Sequence, residues 1–164
     1  MNYSIIVNTI ILRCAGFVFI KTHRRKKIMA VVEELIRIEE NGAISFGNYK
    51  LEEKSKKSDF EFKGDLYKVK TCKDITKLER NGMFVYESVP GTAVNNFKLE
   101  NGGVSFDVES EQNAQITVEL EESTDYVMYL DGVNAGSMAT NLSGKLSLSV
   151  PASNGTTVVK IVKE

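Results

Sequence analysis

The segment YVMYLDGVNAGSM, residues 126–138, carries the strongest local fold signal in this sequence. Two runs of residues that favour strands flank the dipeptide Asp131-Gly132. Aspartate followed by glycine suits a two-residue turn with positive φ angles at both positions, and such a turn matches the twist of paired strands. The segment therefore predicts a β-hairpin, from which the rest of the chain can be interpreted.

Beyond residue 82 the chain continues in the same way. Short runs of strand-forming residues alternate with turn signals at a spacing of about 8–12 residues, which is typical of a sandwich or a barrel. The predicted strands are Met83–Ser88, Ala93–Leu99, Val104–Glu109, Gln115–Leu120, Thr124–Leu130, Val133–Met138, Lys145–Val150 and Thr157–Val162.

Residues 41–71 contain further strand signals. Alternating residues over 59–71 predict two strands joined by a turn at Lys63-Gly64-Asp65. Ile44–Phe46 predicts a short strand. The charged stretch Leu51–Asp59 has no periodicity, so we interpret it as a solvated connector.

Two segments have apolar residues at helical spacing. Met29–Glu40 predicts a short N-terminal helix that stops at Asn41-Gly42. In KDITKLERNG, residues 73–82, Asp74 stands at a capping position and the final Asn-Gly ends a small inserted helix. The predicted fold is mainly β: an antiparallel β-sandwich with a short N-terminal helix and one small inserted helix. Residues 29–58 hold the first helix, a strand and the connector, and residues 59–164 form the sandwich domain.

Residues 1–28 differ from the rest, with six basic and no acidic residues. The apolar stretch Tyr3–Ile20 is barely long enough to span a membrane, and Arg13 within it costs about 2.5–3.5 kcal/mol on insertion. Arg24-Arg25 can be encoded as AGG AGG, a purine-rich ribosome-binding sequence three codons upstream of Met29. We favour Met29 as the initiator, which gives a cytoplasmic protein without membrane contact. The alternative is a membrane anchor formed by residues 3–20.

The composition of residues 29–164 excludes several functions. They carry 22 acidic and 15 basic side chains, and this net charge of −7 disfavours a nucleic-acid partner. They contain no histidine and a single cysteine, Cys72, so a His-based dyad, a zinc cluster and an internal disulfide are excluded from this region. No glycine-rich phosphate loop is found. We expect neither a metal nor a cofactor.

Tyrosines on the predicted strands are the candidate ligand-binding residues. Exposed tyrosines on a sheet can stack on sugar rings or anchor a protein partner; the alternative is that each covers the edge of the core. Tyr126 shares a strand face with Met128, and Tyr129 shares the opposite face with Val127. If one face is solvated, one of these two tyrosines points away from the core. The candidates are Tyr67, Tyr86, Tyr126 and Tyr129.

Acidic residues gather at the ends of two predicted strands and in the adjoining loops. A glycosidase needs two carboxyl groups about 5–10 Å apart in a cleft. We interpret the acidic residues as a solvating rim rather than a catalytic pair. They are Glu109, Glu111, Glu119, Glu121, Glu122 and Asp125.

The segments GDLYKVKTCKDITKLERNGMFVYESVPGTAVNNF (64–97) and TNLSGKLSLSV (140–150) resemble small proteins of gut clostridia that carry the label endosialidase. The similarity spans the region from Met29 onward and assigns no catalytic residue. Residues 125–150 also resemble hairpins in the β-sandwich modules of polysaccharide-degrading enzymes. The first resemblance implies hydrolysis of a sialic-acid polymer.

Taken without the resemblance, the residues favour a non-enzymatic module that binds a glycan or a protein partner, because the usual catalytic groups are missing. The alternative is a glycan-active enzyme that uses carboxylates and tyrosine alone. A third option is a structural subunit that assembles through an exposed sheet edge.

Overall fold

The computed structural model describes residues 31–164, which form thirteen β-strands and no helix. The predicted leader or anchor in residues 1–28 lies outside the described residues. Within the described part, no helix is present that could cross a membrane. The strands are β1 (Ile36–Ile38), β2 (Ile44–Phe46), β3 (Ser55–Phe62), β4 (Asp65–Thr71), β5 (Thr76–Arg80), β6 (Met83–Val89), β7 (Ala93–Glu100), β8 (Gly103–Glu109), β9 (Ala114–Glu119), β10 (Asp125–Leu130), β11 (Val133–Ala139), β12 (Lys145–Val150) and β13 (Thr156–Lys163).

The strands form two sheets. The first has seven strands in the order β1-β2-β7-β8-β13-β10-β11, and the second has six in the order β12-β9-β6-β5-β4-β3. All pairings between neighbouring strands are antiparallel. The predicted antiparallel, mainly β class is therefore confirmed.

Both sheets contribute side chains to one apolar core. Phe46 of the first sheet meets Tyr86 of the second edge to face, with ring centroids 5.3 Å apart. Phe106 of the first sheet contacts the same tyrosine ring at 5.7 Å. Such aromatic pairs contribute about 0.5–1.5 kcal/mol each beyond the area that they bury. This shared core is compatible with the predicted sandwich.

Each sheet ends in two edge strands, and these edges lie on two sides of the molecule. On one side β1 and β3 contact each other across the two sheets. On the other side β11 is followed directly by β12, through the connecting residues 140–144. A turn closed by Asn141 and Lys145 forms this connection.

The hairpin predicted around Asp131-Gly132 is confirmed. β10 pairs with β11, and the two turn residues have φ angles of 50° and 81°. From residue 83 onward, each strand predicted from the sequence is present, with ends that agree within one residue. The turn at Lys63-Gly64 is also confirmed.

The helix predicted over Met29–Glu40 is wrong in the described residues. Leu35 has a φ of 69°, which a right-handed helix does not allow, and the residues after it form β1. Ile36 lies opposite Phe46 in a hairpin with β2, and both side chains are buried. The apolar residues of this segment therefore reach the core from an extended chain, which also adds ladder hydrogen bonds to the sheet.

The inserted helix predicted over residues 74–82 is also wrong, because β5 occupies Thr76–Arg80. Thr76 and Leu78 are buried, so the period is two rather than helical. Asn81 and Gly82 have φ angles of 51° and 79° and form the turn between β5 and β6. An Asn-Gly pair can stop a helix or close a hairpin, and the dipeptide alone does not show which. Here β5 pairs with both β4 and β6, and this pairing makes the segment a strand.

The interpretation of Leu51–Asp59 as a connector is wrong for its second half, since β3 begins at Ser55. β3 is an edge strand that pairs only with β4. Lys56, Asp59 and Glu61 are exposed and Lys57 is half-buried. A highly charged sequence is therefore compatible with a strand at this edge.

Candidate interaction site

β11 is exposed along its whole length. It pairs with β10 on one side and forms the end of the seven-stranded sheet on the other. All seven of its residues are exposed, and the side chain of Val133 is 70% accessible. A free strand edge presents backbone N–H and C=O groups to which another strand can pair.

The chain segment that forms β11 and β12 carries almost no charge. Between residues 133 and 159 the single charged residue is Lys145, whereas 26% of the whole chain is charged. The Lys145 ammonium lies 4.6 Å from the centre of the Phe84 ring of β6. We call β11, β12 and the residues 140–144 between them the low-charge side. Charge depletion and exposed apolar groups are features of interface cores.

Apolar side chains are exposed on the low-charge side. Leu142, between the two strands, is 86% exposed, and Met138 is 43% exposed. In β12 the alternate residues Leu146 and Leu148 are buried in the core, so this strand holds the site in place. The exposed apolar groups therefore lie next to a strand that packs into the core.

The opposite side of the molecule is protected in two ways. β1 has only three residues, and its central Arg37 forms ion pairs with Glu34 and Glu39. β3 carries four charged residues, and its register with β4 shifts between Lys57 and Phe60. Short length, charge and irregular register all discourage edge-to-edge pairing. β11 and β12, the edge strands of the low-charge side, lack this protection apart from Lys145, and of the two β11 is the one exposed at every position.

The register of β11 shows which side chains face the core. Met138 lies opposite Tyr126, and Gly136 lies opposite Met128. Since Tyr126 and Met128 are buried, Met138 and Gly136 belong to the inner face of the sheet. A Cβ atom placed on Gly136 would have no neighbour within 4 Å. The inner face therefore has an open space beside the exposed thioether of Met138.

A β-bulge occupies the first half of β11. The register shifts there, so that Asn134 lies opposite Tyr129 and Ala135 has no counterpart. The Asn134 side-chain oxygen accepts a 2.8 Å hydrogen bond from the backbone N–H of Gly136. The regular part of the edge is consequently Gly136–Ala139.

Three of the four candidate tyrosines lie inside the molecule. Tyr67, Tyr86 and Tyr126 are all buried. The Tyr86 hydroxyl shares a 2.9 Å hydrogen bond with Thr92, and burial raises the pKa of this tyrosine. The Tyr126 hydroxyl donates to the Gly102 carbonyl at 3.0 Å. These rings contribute to the core, and their faces are not presented at the surface.

Tyr129 faces away from the core, and it is the tyrosine of the four that is partly exposed. It lies opposite Lys160 of β13, and the neighbouring pair Val127 and Val162 lies on the same outer face. The structure thus places three candidates in one core and the fourth on the outer face, so the four tyrosines do not form one surface patch.

A phenol–carboxylate pair that the sequence analysis missed lies at one end of the sheets. The Tyr49 hydroxyl donates a 2.7 Å hydrogen bond to Glu109 Oε1. Burial raises the pKa of Tyr49, and the hydrogen bond and charge of Glu109 raise it further. The pair borders a surface cavity of about 360 Å³ that Ser153 and Gly155 also line. Nothing in the sequence links two residues that stand sixty positions apart.

The six acidic residues of the predicted rim fall into two groups. Glu109 ends β8 near the start of β9, whereas Glu119 ends β9. The length of β9 separates these groups by about 17 Å, which is more than paired glycosidase carboxyl groups tolerate. Glu121 forms an ion pair with Lys163.

Among the described residues, no cluster of acidic, histidine or cysteine side chains could hold a metal ion.

Comparison of this chain with protein-family models, with curated proteins and with solved structures found no match.

Proposed function

We propose that this chain is a non-enzymatic β-sandwich binding module whose partner is a protein, held by addition of an extended strand to the free edge of β11. The observation that supports it is a terminal strand exposed at all seven positions and free of charge.

Strand addition suits this edge physically. A partner strand would satisfy the free backbone groups of β11, and each hydrogen bond contributes about 0.5–1.5 kcal/mol net. The exposed side chains of Val133, Met138 and Leu142 would add apolar contact area beside the ladder. Backbone pairing supplies affinity, and the side chains on either face of the strand supply selectivity.

A protein partner fits better than a glycan, because three of the four candidate rings that could stack on sugars do not reach the surface. Tyr67, Tyr86 and Tyr126 are buried in the core. The free groups of β11 repeat at the spacing of a polypeptide strand, which only another polypeptide matches along its length.

Site-specific photocrosslinking tests the proposal. A photoreactive amino acid replaces Ala139 at the β11 edge, and the matched control replaces Ser58 at the β3 edge; both positions are exposed. In native host cells we expect a defined protein adduct from position 139 and none from position 58. The adduct should disappear when Ser137→Lys adds a charge to the same edge. Absence of any adduct from position 139, or equal adducts from both positions, would reject strand addition at β11.

A second candidate places a glycan on the outer face around Tyr129. The partly exposed ring lies on the same outer face as the apolar pair Val127 and Val162, which gives a small stacking surface. Binding to a glycan array that Tyr129→Ala abolishes and Tyr67→Phe leaves unchanged would support it. Lack of binding by the wild-type chain to any glycan would dismiss this candidate.

The third candidate is hydrolysis of a sialic-acid polymer at the cavity beside the Tyr49–Glu109 pair. The 2.7 Å hydrogen bond beside a cavity is the observation in its favour. Polymer cleavage should then fall by several orders of magnitude in Tyr49→Phe and in Glu109→Gln. Glu119→Gln, at the other end of β9, serves as the control. Cleavage that persists in both variants would exclude this pair.

A further inference from the structure

We infer that the strand added to β11 is the β11 of a second copy of this chain, paired antiparallel about a two-fold axis. This inference rests on the proposed function, since it names the occupant of the same edge. The product would be a continuous sheet that runs through both copies.

Symmetry restricts how the two strands can align. A two-fold axis through the contact makes the strands antiparallel and the contact isologous. Directly opposite residues in an antiparallel ladder point to the same face, so one residue must lie opposite its own copy. The regular part of the edge is Gly136–Ala139. A two-fold axis at Ser137 places Gly136 of each copy opposite Met138 of the other.

The side chains of β11 complement themselves in this alignment. Met138 is exposed on the inner face, and Gly136 on the same face leaves an open space. Each thioether would therefore fill the gap beside the glycine of the other copy. On the outer face the two Ser137 hydroxyls would meet across the axis, where each can donate to the other. The small side chain of Ala139 leaves room for the second backbone.

The charge distribution favours a second copy over a foreign partner. Heterologous partners are commonly recruited by complementary charges, and β11 offers none to a foreign strand. The same neutrality lets two identical edges approach without repulsion. Edges β1 and β3 could not do this as well, because pairing either with itself would oppose like charges.

Disulfide trapping tests the alignment. Directly opposite Cα atoms in a ladder are about 4.5–5.5 Å apart, within the range for a disulfide. Under mild oxidation Ser137→Cys should therefore form a covalent dimer in the full chain carrying Cys14→Ser. Cys72 is buried. Ser58→Cys, exposed on the opposite edge, is the matched control and should remain monomeric.

The solution mass provides the second measurement. The wild-type mass by light scattering should rise toward twice the monomer value with concentration. Ser137→Lys should raise the dimer dissociation constant by about tenfold or more, since two lysines would meet at the axis. Ser58→Lys should leave it unchanged. A monomeric mass at all concentrations, equal trapping of both cysteine variants, or a dimer unaffected by Ser137→Lys would overturn the inference. If the chain is monomeric but position 139 still crosslinks to another protein, the proposed function stands and only the second copy is rejected.

Discussion

At the scale of single residues, Thr92 holds the buried polar groups together where β6 approaches β7. Its hydroxyl contacts the Tyr86 hydroxyl at 2.9 Å and the Ser88 hydroxyl at 2.8 Å. Its carbonyl accepts a 2.8 Å hydrogen bond from the Thr76 hydroxyl. All four residues are fully buried. A buried hydroxyl is tolerated only while it has partners, so this network depends on Thr92.

Thr92→Val should lower the free energy of unfolding by about 2–3 kcal/mol, because the hydroxyls of Tyr86 and Ser88 lose a partner that water cannot replace. Valine keeps the shape of the side chain, so the loss reports on hydrogen bonding rather than on packing. Urea denaturation measures it, with Thr156→Val at a half-exposed position as the control. Equal stability of the two variants would contradict the role given to this network.

Gly91 is required for a close approach of two backbone segments. A Cβ atom at this position would lie 1.9 Å from the carbonyl oxygen of Cys72. Gly91→Ala should therefore reduce stability by about 2 kcal/mol or more, since the backbone must shift. Gly155→Ala has open space around its Cβ and should stay within about 0.5 kcal/mol of the wild type. Thermal melting of both variants checks the difference, and an unchanged melting temperature for Gly91→Ala would refute it.

Glu79 makes stability depend on pH. Burial raises the pKa of Glu79, but the hydrogen bond from Lys77 and the charges of Lys68, Lys77 and Lys70 outweigh it, so the pKa lies below its ordinary value. A carboxyl group with a depressed folded-state pKa stabilises the fold above its unfolded pKa, and this contribution is lost as pH falls through the folded-state value. The stability difference between wild type and Glu79→Gln should be constant near neutral pH and shrink below about pH 4.5. A difference that persists unchanged to pH 3 would argue against it.

Tyr126 and Tyr129 show why the local sequence leaves the orientation of a strand open. The alternation of side chains shows that they face opposite ways. It does not show which one is inside, because Val127 and Met128 make both faces of the strand apolar. Pairing with β13, which places Met128 opposite the buried Ile161, settles the orientation. That strand lies some thirty positions further along the chain.

At the scale of elements, the outer face of the second sheet opposes like charges. Lys56 of β3, Lys70 of β4 and Lys77 of β5 lie directly opposite one another in a single row. Like charges in this arrangement are destabilising. Lys77 also pairs with Glu79 at 3.3 Å, whereas Lys56 and Lys70 form no ion pair with a described residue. Because Lys70 has a lysine on each side and no ion pair, its charge is the least compensated of the row.

Lys70→Glu should raise the free energy of unfolding by about 0.5 kcal/mol, because the new carboxylate would lie between two lysines. The gain should decrease in 1 M salt, which screens charges at the surface. Lys54→Glu, which precedes β3, changes the net charge equally and serves as the control. If both substitutions have the same effect, the cross-strand geometry is not its source.

The two wrong helix predictions also belong to this scale. Residues 75–78 combine Ile75 and Leu78 at helical spacing with Thr76 and Leu78 at strand spacing. A segment of this length gains little from helical propensity alone, so the hydrogen bonds offered by neighbouring strands decide its conformation. The strands from residue 83 onward were predictable because hairpin turns separate them at regular intervals. The start of β3 follows a charged stretch without such a turn, and it was not predictable in this way.

At the scale of the whole molecule, the candidate site depends on strand order. The absence of charge between residues 133 and 159 is visible in the sequence. That this stretch forms an open edge is not, because β13 pairs between β8 and β10 and thereby leaves β11 at the end of the sheet. Strand order follows from contacts distant in sequence. The composition of the site could be predicted, and its position could not.

The response of self-association to salt follows from this arrangement. An interface of opposite charges weakens when salt screens it, whereas the low-charge side has almost no charge to screen. The dimer dissociation constant of the full chain should therefore change by less than about twofold between roughly 20 and 300 mM sodium chloride. Sedimentation equilibrium at several salt concentrations measures it. Ser137→Glu mixed with Ser137→Lys gives a matched comparison, because this pair would meet through opposite charges and its association should weaken with salt. A wild-type dimer that weakens as steeply as the mixed pair would place the contact on a charged surface instead of β11.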